Sequence, residues 1–175
     1  HPSQDEGYAE ILRRDPDGVL LVQASDRTNW QKVLRSRLER VIPNPKERLF
    51  LVAPFAHDDF LALTCHADAL LDTFHFSGGN TSLEAFAYGR PVVTLPGEFM
   101  RGRVTLGYYS QMGIDDLVAK DPAHYVELAV RTATDKDWNQ EMRAKILGRQ
   151  SEIFCDAQAV AYFADFLENA SHGRL

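Results

Sequence analysis

The chain has few features of several large functional classes. Cysteine is nearly absent: Cys65 and Cys155 are the only two in 175 residues. They stand far apart, without metal-ligand spacing, so reduced thiols are expected, with neither a disulfide framework nor a metal site. Basic charge is short as well, with 19 Lys and Arg against 25 Asp and Glu for a net charge of −6. Binding to duplex DNA draws its affinity from clustered cations that release counterions, so no nucleic-acid partner is expected. No apolar run approaches the roughly 18 to 20 residues that cross a bilayer. The opening HPSQDEGYAE has neither a basic nor an apolar signal region, and a soluble, cytoplasmic protein is the expectation. Internal repeats, low-complexity tracts and long linkers are missing too. With 45% apolar residues, the chain is sized for one well-buried domain spanning residues 1–175.

What is present is an alternation. GYAEILRRDPDG carries Tyr8, Ile11 and Leu12 at helical spacing and ends in a turn, and VLLVQ follows as a short continuous apolar run, the mark of a strand buried on both faces. NWQKVLRSRLERVI, residues 29–42, places Trp30, Val33, Leu34, Leu38, Val41 and Ile42 on a helical stripe, which PNPKE breaks ahead of the strand RLFLVA. HDDFLALTCH then predicts a helix, ADALLD a strand, NTSLEAFAYG a helix and PVVTL a strand. Four such alternations predict an α/β fold, a Rossmann-like, doubly wound parallel sheet with right-handed crossovers. Beyond VTLGYYSQMGI the segments DPAHYVELAVRTATD, DWNQEMRAKILGRQ and DAQAVAYFADFLENA predict helices and DLVA a short strand, making the last third a helical extension.

The densest chemistry lies in FHFSGGNTSLEA, residues 74–85, at the carboxyl end of a predicted strand, where doubly wound sheets bind ligands. Gly78 and Gly79 lack a Cβ, so phosphates can approach the backbone, and the unpaired amides of the next helix point to the same place. Asn80, Thr81 and Ser82 add side-chain donors, one of which can cap the helix. Glu84 is placed to accept hydrogen bonds from a ribose hydroxyl pair. From the residues alone two readings stay open, a phosphate cradle and a plain turn with a cap, in which Glu84 only complements the helix dipole.

The run LDTFHFSGGNTSLEAFAYGRPVVTLPGEFMRGRV resembles the C-terminal, nucleotide-sugar-binding half of GT-B glycosyltransferases. It is most similar to bacterial relatives of the O-linked N-acetylglucosamine transferases. The similarity extends to ILRRDPDGVLLV, the VAPF loop, GIDDLVAKDPAHYVELAV and TDKDWNQEMRAKI, and so covers nearly the whole chain. The resemblance implies a UDP-sugar donor with no further cofactor and no metal. Gly78, Gly79, Asn80, Thr81 and Ser82 would then meet the pyrophosphate and Glu84 the ribose, glutamate standing where some relatives have aspartate. It also implies a side chain over the uracil, which the alignment assigns to Phe60, whose apolar neighbours Leu61 and Leu63 make a core position the competing reading. His57 in the same loop is a candidate contact to the base, its alternative being a helix cap. Arg103 matches an arginine of the family and either pairs with phosphate or, the preferred reading, fixes the loop through Glu98.

Complete GT-B enzymes have two Rossmann-like domains, and these residues account for the second. The family's phosphate-contacting lysine would fall just ahead of His1-Pro2. The resemblance thus implies a fragment lacking the acceptor and catalytic domain, inactive alone, with a protein or small-molecule acceptor bound through the missing part. Two alternatives remain: a sugar-nucleotide epimerase-type domain and a non-catalytic nucleotide-binding or interaction module. The last helix is expected to leave an apolar face uncovered and to support homo-association.

Overall fold

The computed structural model describes residues 1–54 and 56–173. A short 3-10 turn, Pro2–Gln4, leads into α1 (Asp5–Arg14), β1 (Leu20–Gln23) and α2 (Thr28–Leu38). The one-turn α3 (Pro45–Arg48), β2 (Leu49–Val52) and α4 (His57–His66) come next, then β3 (Leu70–Leu71), α5 (Asn80–Ala87) and β4 (Val92–Val93). Helices complete the chain: α6 (Val104–Met112), α7 (Pro122–Thr134), α8 (Lys136–Arg149) and α9 (Ala157–Ser171). This is the expected α/β alternation with a helical extension.

The strands are parallel but shorter than the apolar runs suggested, and they form two pairs. Leu20 to Gln23 of β1 lie opposite Leu49 to Val52 of β2 in unbroken register. Leu70 and Leu71 of β3 lie opposite Val92 and Val93 of β4. The predicted strand DLVA reduces to one parallel bridge between Thr94 and Val118, which sets that segment beside the end of β4.

The main core lies on this second pair. Val92 and Val93 pack with Ala85 and Phe86 of α5, Tyr109 and Met112 of α6, Tyr125 and Ala129 of α7, and Met142 and Ile146 of α8. The Tyr109 hydroxyl donates to the Val92 carbonyl (2.9 Å) and accepts from its amide (3.0 Å), completing a buried strand position from a helix. Gly113 closes α6 in the left-handed conformation (φ 68°) that favours glycine. Asp121 and Asp135 cap α7 and α8 by accepting from the amides of His124 and Trp138.

A smaller core of Leu12, Leu20, Leu38, Ile42 and Leu49 lies on the first pair. The Arg48 guanidinium closes its edge by donating to the carbonyls of Leu12, Asp15 and Gly18. Here the sequence misled in one respect. The stripe predicted over residues 29–42 ends as a helix at Leu38, because Ile42 precedes Pro43 and the residue before proline is pushed out of the α region. Leu38 and Ile42 are buried, whereas Trp30 and Val33 stay 63% and 67% exposed. The Arg27 guanidinium lies 5.1 Å from the Trp30 ring. α9 has no buried residue, and its Val160, Phe163 and Leu167 are exposed. Among the described residues no helix is long and apolar enough to cross a membrane.

Candidate functional site

A cleft of about 310 Å³ opens at the carboxyl ends of β1 and β3, lined by Gln23, His57, Phe60, Asn80, Thr81 and Glu84. Gln23 is the last residue of β1, His57 and Phe60 lie on the first turn of α4, and Asn80, Thr81 and Glu84 lie on the first turns of α5. Five of the residues singled out in the sequence thus converge. Gln23 was not among them, although an amide ending an apolar strand run is a signal for a polar group at the mouth of such a sheet.

Among the described residues neither lysine nor arginine lines this cleft. Its acid, Glu84, is 30% exposed and faces His57 across a 3.8 Å gap between Oε1 and Nε2. Positive potential for an anion therefore has to come from the backbone. The amides of Gly79, Asn80 and Thr81 have no hydrogen-bond partner among the described residues. They stand at the amino end of α5, where the helix dipole adds to them. None of the three polar residues after the glycines caps the helix through its side chain. Gly79 occupies the capping position, leaving the end open.

The two glycines differ. A Cβ on Gly78 would come within 2.4 Å of the Ser82 hydroxyl and 2.9 Å of that of Thr81, whereas one on Gly79 would meet nothing within 4 Å. Gly78 is thus required by close packing of the turn on its own helix, and Gly79 borders open space. Ser82 is buried, with its hydroxyl 2.9 Å from that of Thr105, on the inward side of the helix start. Arg103 is exposed at the start of α6, outside the cleft, and among the described residues it makes no ion pair with Glu98. Instead Arg101 covers the Phe99 ring at 4.6 Å. The VAPF loop ends on Phe55, which lies outside the described residues.

Behind the glycines sits Asp72, 94% removed from solvent at the end of β3. Its Oδ1 accepts from the amides of Thr73 (3.0 Å) and Gly78 (2.7 Å). Its Oδ2 accepts from the hydroxyls of Ser77 (2.6 Å) and Thr94 (2.7 Å). The Ser77 hydroxyl accepts in turn from the Thr105 amide (3.0 Å), tying α6 to the loop. The Asp72 carbonyl accepts from the Gln4 side chain and the Tyr125 hydroxyl, both at 2.9 Å. Burial pushes the Tyr125 phenol well above its ordinary range, so it remains a donor.

A second cavity of similar volume lies on the other side of the loop, between His1, His75, Glu98, Phe99 and Arg101. His75 takes a left-handed backbone conformation (φ 71°), its ring packs edge-on to that of His1 at 4.5 Å, and its Nε2 lies 3.0 Å from the Ser3 hydroxyl.

Comparison with known proteins gives concordant results. The model of the family described as Glycosyl transferase family 41 matches residues 1–162. A UDP-N-acetylglucosamine--peptide N-acetylglucosaminyltransferase of Caenorhabditis elegans is 38% identical over 90% of this chain and 14% of its own length. A probable enzyme of the same description, SPINDLY of Oryza sativa subsp. japonica, is 29% identical over 86% of this chain and 17% of its own. Among solved structures, a mutant O-GlcNAc transferase of Thermobaculum terrenum superposes with a TM-score of 0.79 at 29% identity, over 98% of this chain and 33% of that one. The chain therefore spans a third or less of each of these relatives.

Proposed function

The chain belongs to glycosyl transferase family 41, and we propose that it is the donor-binding domain of an inverting transferase that moves N-acetylglucosamine, or a related sugar, from UDP to protein serine or threonine. The observation that carries this reading is the cleft itself, where an aromatic ring, an acid and three amides without a partner among the described residues meet at the strand ends. Phe60 stacks on the uracil with His57 beside it, Glu84 accepts from the ribose hydroxyls, and the backbone from Gly79 to Thr81 receives the pyrophosphate.

In the transfer, the acceptor hydroxyl attacks the anomeric carbon while that carbon's bond to the β-phosphate oxygen breaks and UDP leaves with the electron pair. The amides and the dipole of α5 stabilise the charge gathering on the phosphate as it departs, so the step needs no metal. The acceptor and the base that takes its proton belong to parts of the protein outside these residues. This chain alone is then expected to bind the donor without turning it over. The names of the relatives favour this reading over an epimerase-type domain.

Titration calorimetry of the folded chain with UDP tests the proposal. Weak but measurable binding, no tighter for UDP-N-acetylglucosamine than for UDP, is the expected result. A folded chain that binds no UDP at millimolar concentration overturns it.

A further inference from the structure

The donor-site reading assigns no part to Asp72, the most heavily hydrogen-bonded side chain of the loop. We infer that Asp72 is a positioning residue for the donor site, holding the Gly78 amide inward so that the following amides, Gly79 to Thr81, stay free at the cleft. The inference rests on the reading of the preceding subsection for what those amides bind.

A chain leaving a strand for a helix can turn its amides either into the core or out to the ligand. Here the first choice is made for Gly78 alone, by a 2.7 Å bond to Asp72 Oδ1. The same carboxylate draws the Ser77 hydroxyl inward at 2.6 Å, so two consecutive loop residues are fixed from behind. The turn also folds back on its own helix, so that a Cβ on Gly78 would come within 2.4 Å of the Ser82 hydroxyl. Beyond these bonds the next three amides have no hydrogen-bond partner among the described residues. Asp72 is buried and does not line the cleft, so it acts through the loop. Its four hydrogen bonds distribute its charge over donors that are already oriented, which limits repulsion of a bound diphosphate.

Hydrogen-bond geometry separates the variants. Asp72→Ala removes the partner of the Gly78 amide. Asp72→Asn keeps an oxygen for the amides of Thr73 and Gly78 and presents an amide group to the hydroxyls of Ser77 and Thr94, which can reverse and accept. Thr94→Val removes one bond to the same carboxylate from a residue outside the loop. The experiment is UDP titration of the three variants well below their melting temperatures, with amide exchange followed by NMR. Asp72→Ala is expected to weaken UDP binding about tenfold or more and to expose the Gly78 amide, and the other two variants to stay within about threefold. Equal losses for Thr94→Val and Asp72→Ala, or a folded Asp72→Ala that binds as the parent does, overturn the inference. Should Asp72→Ala not fold, Asp72→Asn decides, because a folded Asn variant without UDP binding shows that charge and not placement matters. Should the parent bind no UDP, the donor reading falls by itself. The exchange data then decide alone, an unprotected Gly78 amide in the parent overturning the inference and protection that Asp72→Ala abolishes supporting it.

Discussion

The two strand pairs arise from the same kind of sequence, short continuous apolar runs, and end in different surroundings. Val92 and Val93 of β4 are buried on both faces between α5, α6, α7 and α8. Leu21 and Phe50, register partners on β1 and β2, remain 39% and 45% exposed. The cleft draws on both halves. Asn80, Thr81 and Glu84 come from the helix seated on the well-packed pair, Gln23 from the end of the sparsely packed one, and His57 and Phe60 from α4, which follows β2 in the chain and packs against α5. In the proposed function the diphosphate, whose recognition needs fixed amides, meets the stiff half. The base, which an aromatic ring can meet with some latitude, faces α4 and the exposed end of β1.

The largest test of this contrast is Phe86→Ala in the stiff half, expected to cost about 3 to 5 kcal/mol of stability by chemical denaturation. The matched change Phe50→Ala should cost about 1 kcal/mol, because much of that ring is already in water. Equal losses at the two sites would erase the distinction. Next comes Glu84→Gln, expected to weaken UDP binding by about 1 to 3 kcal/mol with little change in melting temperature. If Glu84 only complements the dipole of α5, the order reverses, with intact affinity and a stability loss of a few tenths to about 1 kcal/mol. Phe60→Ala should cost about 0.5 to 1.5 kcal/mol of UDP affinity, and undiminished binding would return Phe60 to a packing role. The smallest effect on stability is expected from deleting α9, since none of its residues is buried. The melting midpoint should hardly move, while self-association through the stripe of Val160, Phe163 and Leu167 should disappear in sedimentation analysis. A parent chain that is strictly monomeric rules that association out.

Period and punctuation made most of the fold legible. HDDFLALTCH and DPAHYVELAVRTATD form helices close to their predicted bounds, the second marked by its capping Asp121 and Pro122 and the first by Asp58 and Asp59 in its first turn. Trp30 and Val33 show the limit of periodicity, which finds a stripe but not whether anything covers it. The glycine loop and its helix are legible as a place for a ligand, and of the three polar residues after the glycines Asn80 and Thr81 line the cleft. Ser82 faces inward and Gly79, not a hydroxyl, occupies the capping position. Asp72 stood in the quoted LDT without an assigned role, because its partners at Gln4, Thr94 and Tyr125 are remote in sequence and no local pattern joins them. Its signal was a single acid closing an apolar strand run, a burial that only a full set of donors tolerates.

The hub at Asp72 also governs when the loop can take shape during folding. Gln4 reaches its carbonyl across 68 positions and Tyr125 across 53, and the two side chains meet each other across 121. Contacts of such separation carry a large loop-closure entropy and form late. A chain growing from the ribosome holds the glycines long before it holds Tyr125, so the loop stays unfinished until α7 has emerged and docked. In refolding followed by pulsed amide exchange, protection of Gly78 is expected to arrive with that of α7, and an earlier arrival would show that the loop assembles from its neighbours alone.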